Sequence, residues 1–195
     1  RRLAATLADA GHAVTTTREP GGTPVAEAVR RFILSGRAKP LGPEAEAILF
    51  AAARADHVDR LIRPALEAGA FVLSDRFTDS TRVYQGAPRA LDRDMLDALE
   101  RVAAGPTRPD LTIIIDVPAA VGLARVAARS GALGEGLDRF ESDDLAAHEA
   151  RRQAYLAIGR AEPGRCVIVD GTRHADAVAA DIWQAVAARL LDAAA

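Results

Sequence analysis

Short runs of apolar, often β-branched residues alternate along this chain with longer stretches whose apolar positions recur every three or four residues. Four of the short runs read as strands: Ala13 to Thr17, Phe71 to Ser74, Leu111 to Val117 and Cys166 to Val169. The third, Leu-Thr-Ile-Ile-Ile-Asp-Val, is almost continuously apolar, which is the pattern of a strand covered on both faces. Helices are predicted in between. Leu3, Leu7 and Ala10 form the last turns of one, closed by Gly11, and Val25, Val29, Phe32 and Ile33 form the stripe of the next. Pro43 opens a long helix carrying Ile48, Leu49, Val58, Leu61, Ile62 and Leu66, which Gly69 closes. Pro64 is expected to kink it near its end. Asp92 is placed to cap a helix bearing Met95, Leu96, Leu99 and Val102. Further helical stretches run from Val121 to Ala128, Leu145 to Ile158 and Val178 to Leu190. Such regular alternation predicts an α/β fold, a parallel sheet flanked by helices. With no tandem repeat or linker, residues 1–195 read as a single domain. Ser130 to Gly136, glycine-rich between two helical patterns, reads as a mobile loop.

Composition narrows the class. The 195 residues are 49% hydrophobic and 27% charged, enough apolar material for a core. A formal net charge of -2 argues against a protein that coats nucleic acid or an anionic membrane. No apolar run approaches the roughly 18 residues that span a bilayer, and no signal-peptide pattern opens the chain. Cys166 is the only cysteine, which excludes internal disulfides and cysteine-based zinc sites and suggests a cytoplasmic setting. Basic charge is nearly all arginine, Lys39 being the only lysine. The chain opens on Arg1, its only methionine is Met95, and no strand precedes the first predicted helix. A preceding segment carrying a first strand and its turn is therefore expected.

In open α/β sheets ligands bind beyond the carboxyl ends of the strands. There the first strand leads into Thr17-Arg-Glu-Pro-Gly-Gly-Thr23. The second leads into Asp75-Arg76-Phe77, Asp79-Ser80-Thr81 and Tyr84-Gln85-Gly86. Arginines, carboxylates and glycines in this density suit a phosphorylated ligand. Asp75 ends an apolar strand, as does the acid that P-loop proteins hold near magnesium-bound nucleotide. It equally suits a turn cap, and Arg76 beside it favours the ligand role. Phe50 and Arg54, four residues apart, project from one helix face. They suit stacking on and hydrogen bonding to a nucleobase, or a core aromatic beside a solvated arginine. Arg125 and Arg129 precede the glycine-rich stretch and Asp138-Arg-Phe-Glu141 follows it, an arrangement able to close over a transferring phosphoryl group. The four histidines form no metal-ligand spacing, and no nucleophile elbow occurs.

These segments, with Leu49-Phe-Ala-Ala-Ala-Arg54 and Arg108-Pro-Asp-Leu-Thr112, resemble in order and spacing those of bacterial thymidylate kinase. The resemblance covers nearly the whole chain. It implies a three-layer P-loop nucleoside monophosphate kinase fold and transfer of the γ-phosphoryl of ATP, with Mg2+, to dTMP. Phe50 would stack on thymine, Arg54 would bond the base, and Thr81 and Gln85, with Ser80 beside them, would read its edge. Arg76 would hold the monophosphate, with Arg30 nearby. Glu19 would sit where sugar, phosphate and metal meet, and Asp75 would act near magnesium. Arg129 and Arg139 fall in the part that resembles the family's lid, around residues 129–141. A homodimer is also implied. One departure stands out: Gly-x-x-x-x-Gly-Lys-[Ser/Thr], the phosphate-cradling string of P-loop kinases, does not occur. In the family it lies a few residues before the position matching Arg1, so the first strand and P-loop are expected in the preceding segment. The rival expectations are a related kinase with another nucleoside or nucleotide acceptor, and a non-catalytic nucleotide-binding protein.

Overall fold

A computed structural model describes the backbone of residues 1–86, 91–133 and 143–191, with their side chains except at 129–133. The chain forms two compact units, Arg1–Arg108 and Pro109–Ala195.

In the first unit, β1 (Val14–Arg18) pairs in parallel with β2 (Phe71–Asp75). Val14 stands opposite Phe71 and Arg18 opposite Asp75. The Glu19 N–H extends this ladder, donating to the Asp75 carbonyl at 2.9 Å. The segments after both strands therefore start at one edge. α1 (Arg2–Asp9) precedes β1, and α2 (Pro24–Leu34) follows it. Thr23 caps α2, its hydroxyl accepting from the Ala26 N–H at 3.2 Å, and Pro24 occupies the first turn, where its missing N–H costs nothing.

The long helix predicted from Pro43 is broken into pieces. α3 (Pro43–His57) passes into a π turn at Val58–Ile62 and resumes as α4 (Arg63–Glu67), with Pro64 in its first turn. Pro64 cannot donate to the carbonyl one turn back, and the helix widens just ahead of it. Gly69, at φ 78°, closes the run. After β2 come a short α5 (Thr78–Thr81) and a π turn at Arg82–Gly86. α6 (Arg93–Ala104) starts at Asp92, whose carboxylate accepts from the Asp94 N–H at 3.0 Å. α2 packs on α3, and α3 on α6. Leu7, Ile33, Ala47, Val58 and Val83 are wholly buried in this unit. Each of the larger ones contributes about 1.5–3 kcal/mol by leaving water.

In the second unit, β3 (Thr112–Asp116) pairs in parallel with β4 (Cys166–Asp170), setting Asp116 opposite Asp170. α7 (Ala119–Leu133) and α8 (Leu145–Ala161) lie between these strands in sequence, and α9 (Ala175–Val186) follows. Asp144 caps α8, accepting from the Ala147 N–H at 2.8 Å. α8 packs on both strands. Gly159 permits this approach, since a Cβ there would lie 2.9 Å from Ile168 and 3.0 Å from Ile114. Among the described residues, no helix is long and apolar enough to cross a membrane.

Candidate active site

The segment leaving β1 and the C-terminal half of α3 meet in a buried polar network. Glu19 and Arg54 are 6% and 5% exposed. Arg54 Nε donates to Glu19 Oε2 at 2.8 Å, and Arg54 Nη1 donates to Thr81 Oγ1 at 3.0 Å. The other Glu19 oxygen, Oε1, lies 3.1 Å from Nδ1 of His57, and Nε2 of the same ring lies 2.7 Å from Thr17 Oγ1. Burying a lone carboxylate or guanidinium is strongly unfavourable. Here each is satisfied by the other, with Thr81 completing the partners of Arg54 and His57 those of Glu19. The Arg54 guanidinium also sits 5.3 Å from the centroid of the Phe77 ring, within cation–π range. Glu19, Arg54 and Thr81, three residues picked out by sequence, are thus brought into one network.

The Pro20–Thr23 turn is pinned from several sides. Arg30 Nη1 donates to the Pro20 carbonyl at 2.8 Å. The Gly22 N–H donates to Glu27 at 3.2 Å, and Arg18 donates to the same Glu27 oxygen at 2.9 Å. Burial opposes ionisation of Glu27, but the Gly22 N–H and Arg18 outweigh it and hold its carboxyl below the ordinary value. Gly22 itself has φ 90°, a left-handed conformation. Thr23 donates to Asp56, which Arg60 also bonds, at 2.6 Å. Chiefly through the Thr23 hydroxyl, the Asp56 carboxyl is held below its usual range.

At the end of β2, Asp75 and Arg76 are exposed. Arg76 has φ 73°, a left-handed backbone unusual for a residue with a side chain. The Ser74 hydroxyl donates to the Arg76 carbonyl at 2.7 Å, and the Arg76 guanidinium lies 5.0 Å from the Tyr84 ring centroid. Strain of this kind clusters at functional sites. One residue on from Tyr84, Gln85 is 2% exposed, and its Nε2 has no hydrogen-bond partner among the described residues. Phe50 is half-buried on α3, four residues before Arg54, and Ser80 is half-buried on α5.

In the second unit, Asp116 is bonded by both Arg152 Nε (2.5 Å) and Nη2 (2.9 Å). Arg152, more than burial or the neighbouring Asp170 can offset, holds the Asp116 carboxyl below its ordinary value. Arg125 is bound to the Gly171 carbonyl at 2.8 Å. Arg129 lies on α7, but its side chain is outside the described residues, as is Arg139 entirely. No group of three or more His, Cys, Asp or Glu side chains able to hold a metal occurs among the described residues.

His57 is the participant that sequence reasoning passed over. It read as one of four scattered histidines, although it lies three residues after Arg54 and hence on a shared helix face.

The family model for thymidylate kinase matches residues 1–182. A thymidylate kinase of Nitrobacter winogradskyi is 52% identical over 193 residues, covering 99% of this chain and 83% of that one. One from Bradyrhizobium sp. (strain ORS 278) is 50% identical over 195 residues, covering 100% of this chain and 85% of its own length. The crystal structure of thymidylate kinase from Ehrlichia chaffeensis superposes with a TM-score of 0.73 at 27% identity, over 94% of this chain and 88% of that one. The shared architecture is that of an α/β, P-loop-kinase-like protein. On this agreement of sequence and of parallel α/β structure, the chain belongs to the thymidylate kinase family.

Proposed function

We propose that this protein phosphorylates dTMP to dTDP at the expense of ATP, and that the edge formed by the segments after β1 and β2 binds the acceptor. The observation that carries the site reading is the buried network of Glu19, Arg54 and Thr81, together with buried Gln85 four residues after Thr81, whose Nε2 has no hydrogen-bond partner among the described residues. A buried donor without a partner costs about 1–3 kcal/mol, a cost removed when a ligand supplies an acceptor. A pyrimidine edge offers carbonyl oxygens of that kind. Arg54, with its charge balanced by Glu19, is the proposed donor to the same ligand, and Phe50, four residues before it on the same helix, is the proposed ring for stacking. Ser80 and Thr81 supply hydroxyls for the remaining base contacts.

Arg76 is the residue assigned to the acceptor phosphate. It is exposed, and its guanidinium fork suits a phosphate dianion. Arg30 stiffens the turn after β1 and adds positive charge close by. In the transfer, a 5′-phosphate oxygen of dTMP attacks the γ-phosphorus of ATP in line, a new P–O bond forms, the bond to the bridging β–γ oxygen breaks, and ADP leaves. Little covalent chemistry falls to the protein, which orients two anions and screens their repulsion. Magnesium characteristically keeps several waters and takes only one or two protein carboxylates, a donor set that the exposed Asp75 suits. When bound, the ion would neutralise phosphate charge. Arg129 and Arg139 are proposed to do the same from a lid around residues 129–141. The Gly-x-x-x-x-Gly-Lys string does not occur within the 195 residues, and no residue here is given its role. A homodimer in the cytoplasm completes the reading, the dimer being checked by sedimentation equilibrium.

The test is acceptor binding. Arg76→Ala should weaken dTMP far more than thymidine; equal effects on both would remove Arg76 from the phosphate.

A further inference from the structure

His57 has no part in the chemistry above, yet it makes more specific contacts than a space-filling residue needs. It is wholly buried at the end of α3. Its Nδ1 lies 3.1 Å from Glu19 Oε1, and its Nε2 lies 2.7 Å from Thr17 Oγ1. A carboxylate only accepts, so Nδ1 carries a proton and donates to Glu19. In the neutral ring Nε2 then accepts from the Thr17 hydroxyl, which can reverse its role and so does not compete for that tautomer. The ring also fills the space over Gly22, where a Cβ would lie 2.4 Å from Nε2 and 2.6 Å from Cδ2. One imidazole therefore touches Thr17, Glu19 and Gly22, at three points of the segment leaving β1.

Glu19 has two oxygens and divides them, Oε1 to His57 and Oε2 to Arg54. With Oε1 held, rotation of the carboxylate is blocked, and Oε2 presents a fixed lone pair to the Arg54 guanidinium. We infer that His57 is a positioning residue that, through Glu19, sets the direction of Arg54 and hence the enzyme's choice of base. This rests on the reading of Arg54 as the base-contacting residue. It goes beyond that reading by making selectivity depend on a side chain that meets no substrate. Loss of the His57–Glu19 bond frees the carboxylate, and Arg54 then pairs with it in more than one orientation. A misplacement of this sort costs about 10- to 100-fold in efficiency.

The experiment uses steady-state kinetics of the full-length enzyme with dTMP and dCMP as acceptors. These differ at the pyrimidine 4-position, a carbonyl in one and an amino group in the other. The variants are His57→Asn, whose amide donates near the Nδ1 position, His57→Gln, whose amide reaches the Nε2 position, and His57→Phe, which fills the volume without hydrogen bonds. H57F and H57Q should raise KM for dTMP and lower the dTMP to dCMP preference about tenfold or more, with KM for ATP unchanged. H57N should restore most of both. If H57F does not fold, the contrast between H57N and H57Q decides the matter. Equal behaviour of those two, an unaltered acceptor preference, or parallel rises in both KM values would overturn the proposal and leave His57 as packing. Arg54→Ala separates the role of Arg54 from that of His57. If it leaves acceptor preference untouched, the base-contacting role of Arg54 fails. If it abolishes the preference while the His57 variants keep it, only the role of His57 fails.

Discussion

Glu19 and Arg54 face each other across 2.8 Å with less than a tenth of either side chain exposed. One residue follows β1 and the other lies near the end of α3, so this contact ties the strand edge to the helix that carries Phe50. Removing one partner leaves the other buried and uncompensated. Glu19→Ala should lower unfolding free energy by about 3–5 kcal/mol, the usual cost of orphaning a buried charge. Urea denaturation of the full-length protein measures this, and a variant within experimental error of the wild type would contradict the pairing.

Arg76 holds its left-handed backbone at the open end of β2, with its carbonyl bonded by Ser74. Because it is exposed, its replacement should leave the fold intact. If Arg76 holds the acceptor phosphate as proposed, Arg76→Ala should weaken dTMP binding by about 100-fold, the loss of about two charge-assisted hydrogen bonds. Thymidine, which lacks the phosphate, should bind nearly as before. Calorimetric titration with both ligands gives the comparison.

Gly22 combines a φ of 90° with direct contact to the His57 ring. Gly22→Ala should destabilise by more than the roughly 1–2 kcal/mol that the backbone conformation alone costs, since the added Cβ would lie 2.4 Å from the wholly buried His57 ring. Thermal melting should register this as a clear fall in Tm, and an unchanged melt would show that the turn adapts.

The Asp116–Arg152 pair sets a pH dependence with a definite sign. Asp116 is held below its ordinary value in the folded protein, first by the hydrogen bonds from Arg152. The unfolded chain therefore binds its proton more readily. Stability from this pair is complete above the ordinary aspartate range near pH 4 and is lost as pH falls through the depressed folded value. Replacing Arg152 with methionine should flatten that acid limb of the stability curve. An acid limb identical in both proteins would assign it to other carboxylates.

Much of this architecture was readable from pattern. The four predicted strands all form, each shifted, trimmed or lengthened by a residue at its ends, because pairing decides the ends and a sequence does not display its partner. Arg18 and Asp75, both polar, continue their strands because they face each other in register. The helix at Thr78–Thr81 and the π turn at Arg82–Gly86 escaped notice since neither is long enough to show a period. Pro64 announced an irregularity but not its form, a π turn upstream at Val58–Ile62. In the site, Glu19, Arg54 and Thr81 were each singled out through family resemblance, but their joining was not, as the bonded pairs are 35 and 27 positions apart. His57 was hidden because its partners, Thr17 and Gly22, reach it only once β1 and α3 have packed.

Transfer of a phosphoryl group from ATP to dTMP is tested most directly by product analysis with 31P NMR. Full-length protein incubated with magnesium, ATP and equimolar dTMP should convert the dTMP singlet into the paired doublets of dTDP, with one ADP formed for each. Thymidine offered in place of dTMP should give no monophosphate. Absence of dTDP, or phosphorylation of thymidine, would contradict the account.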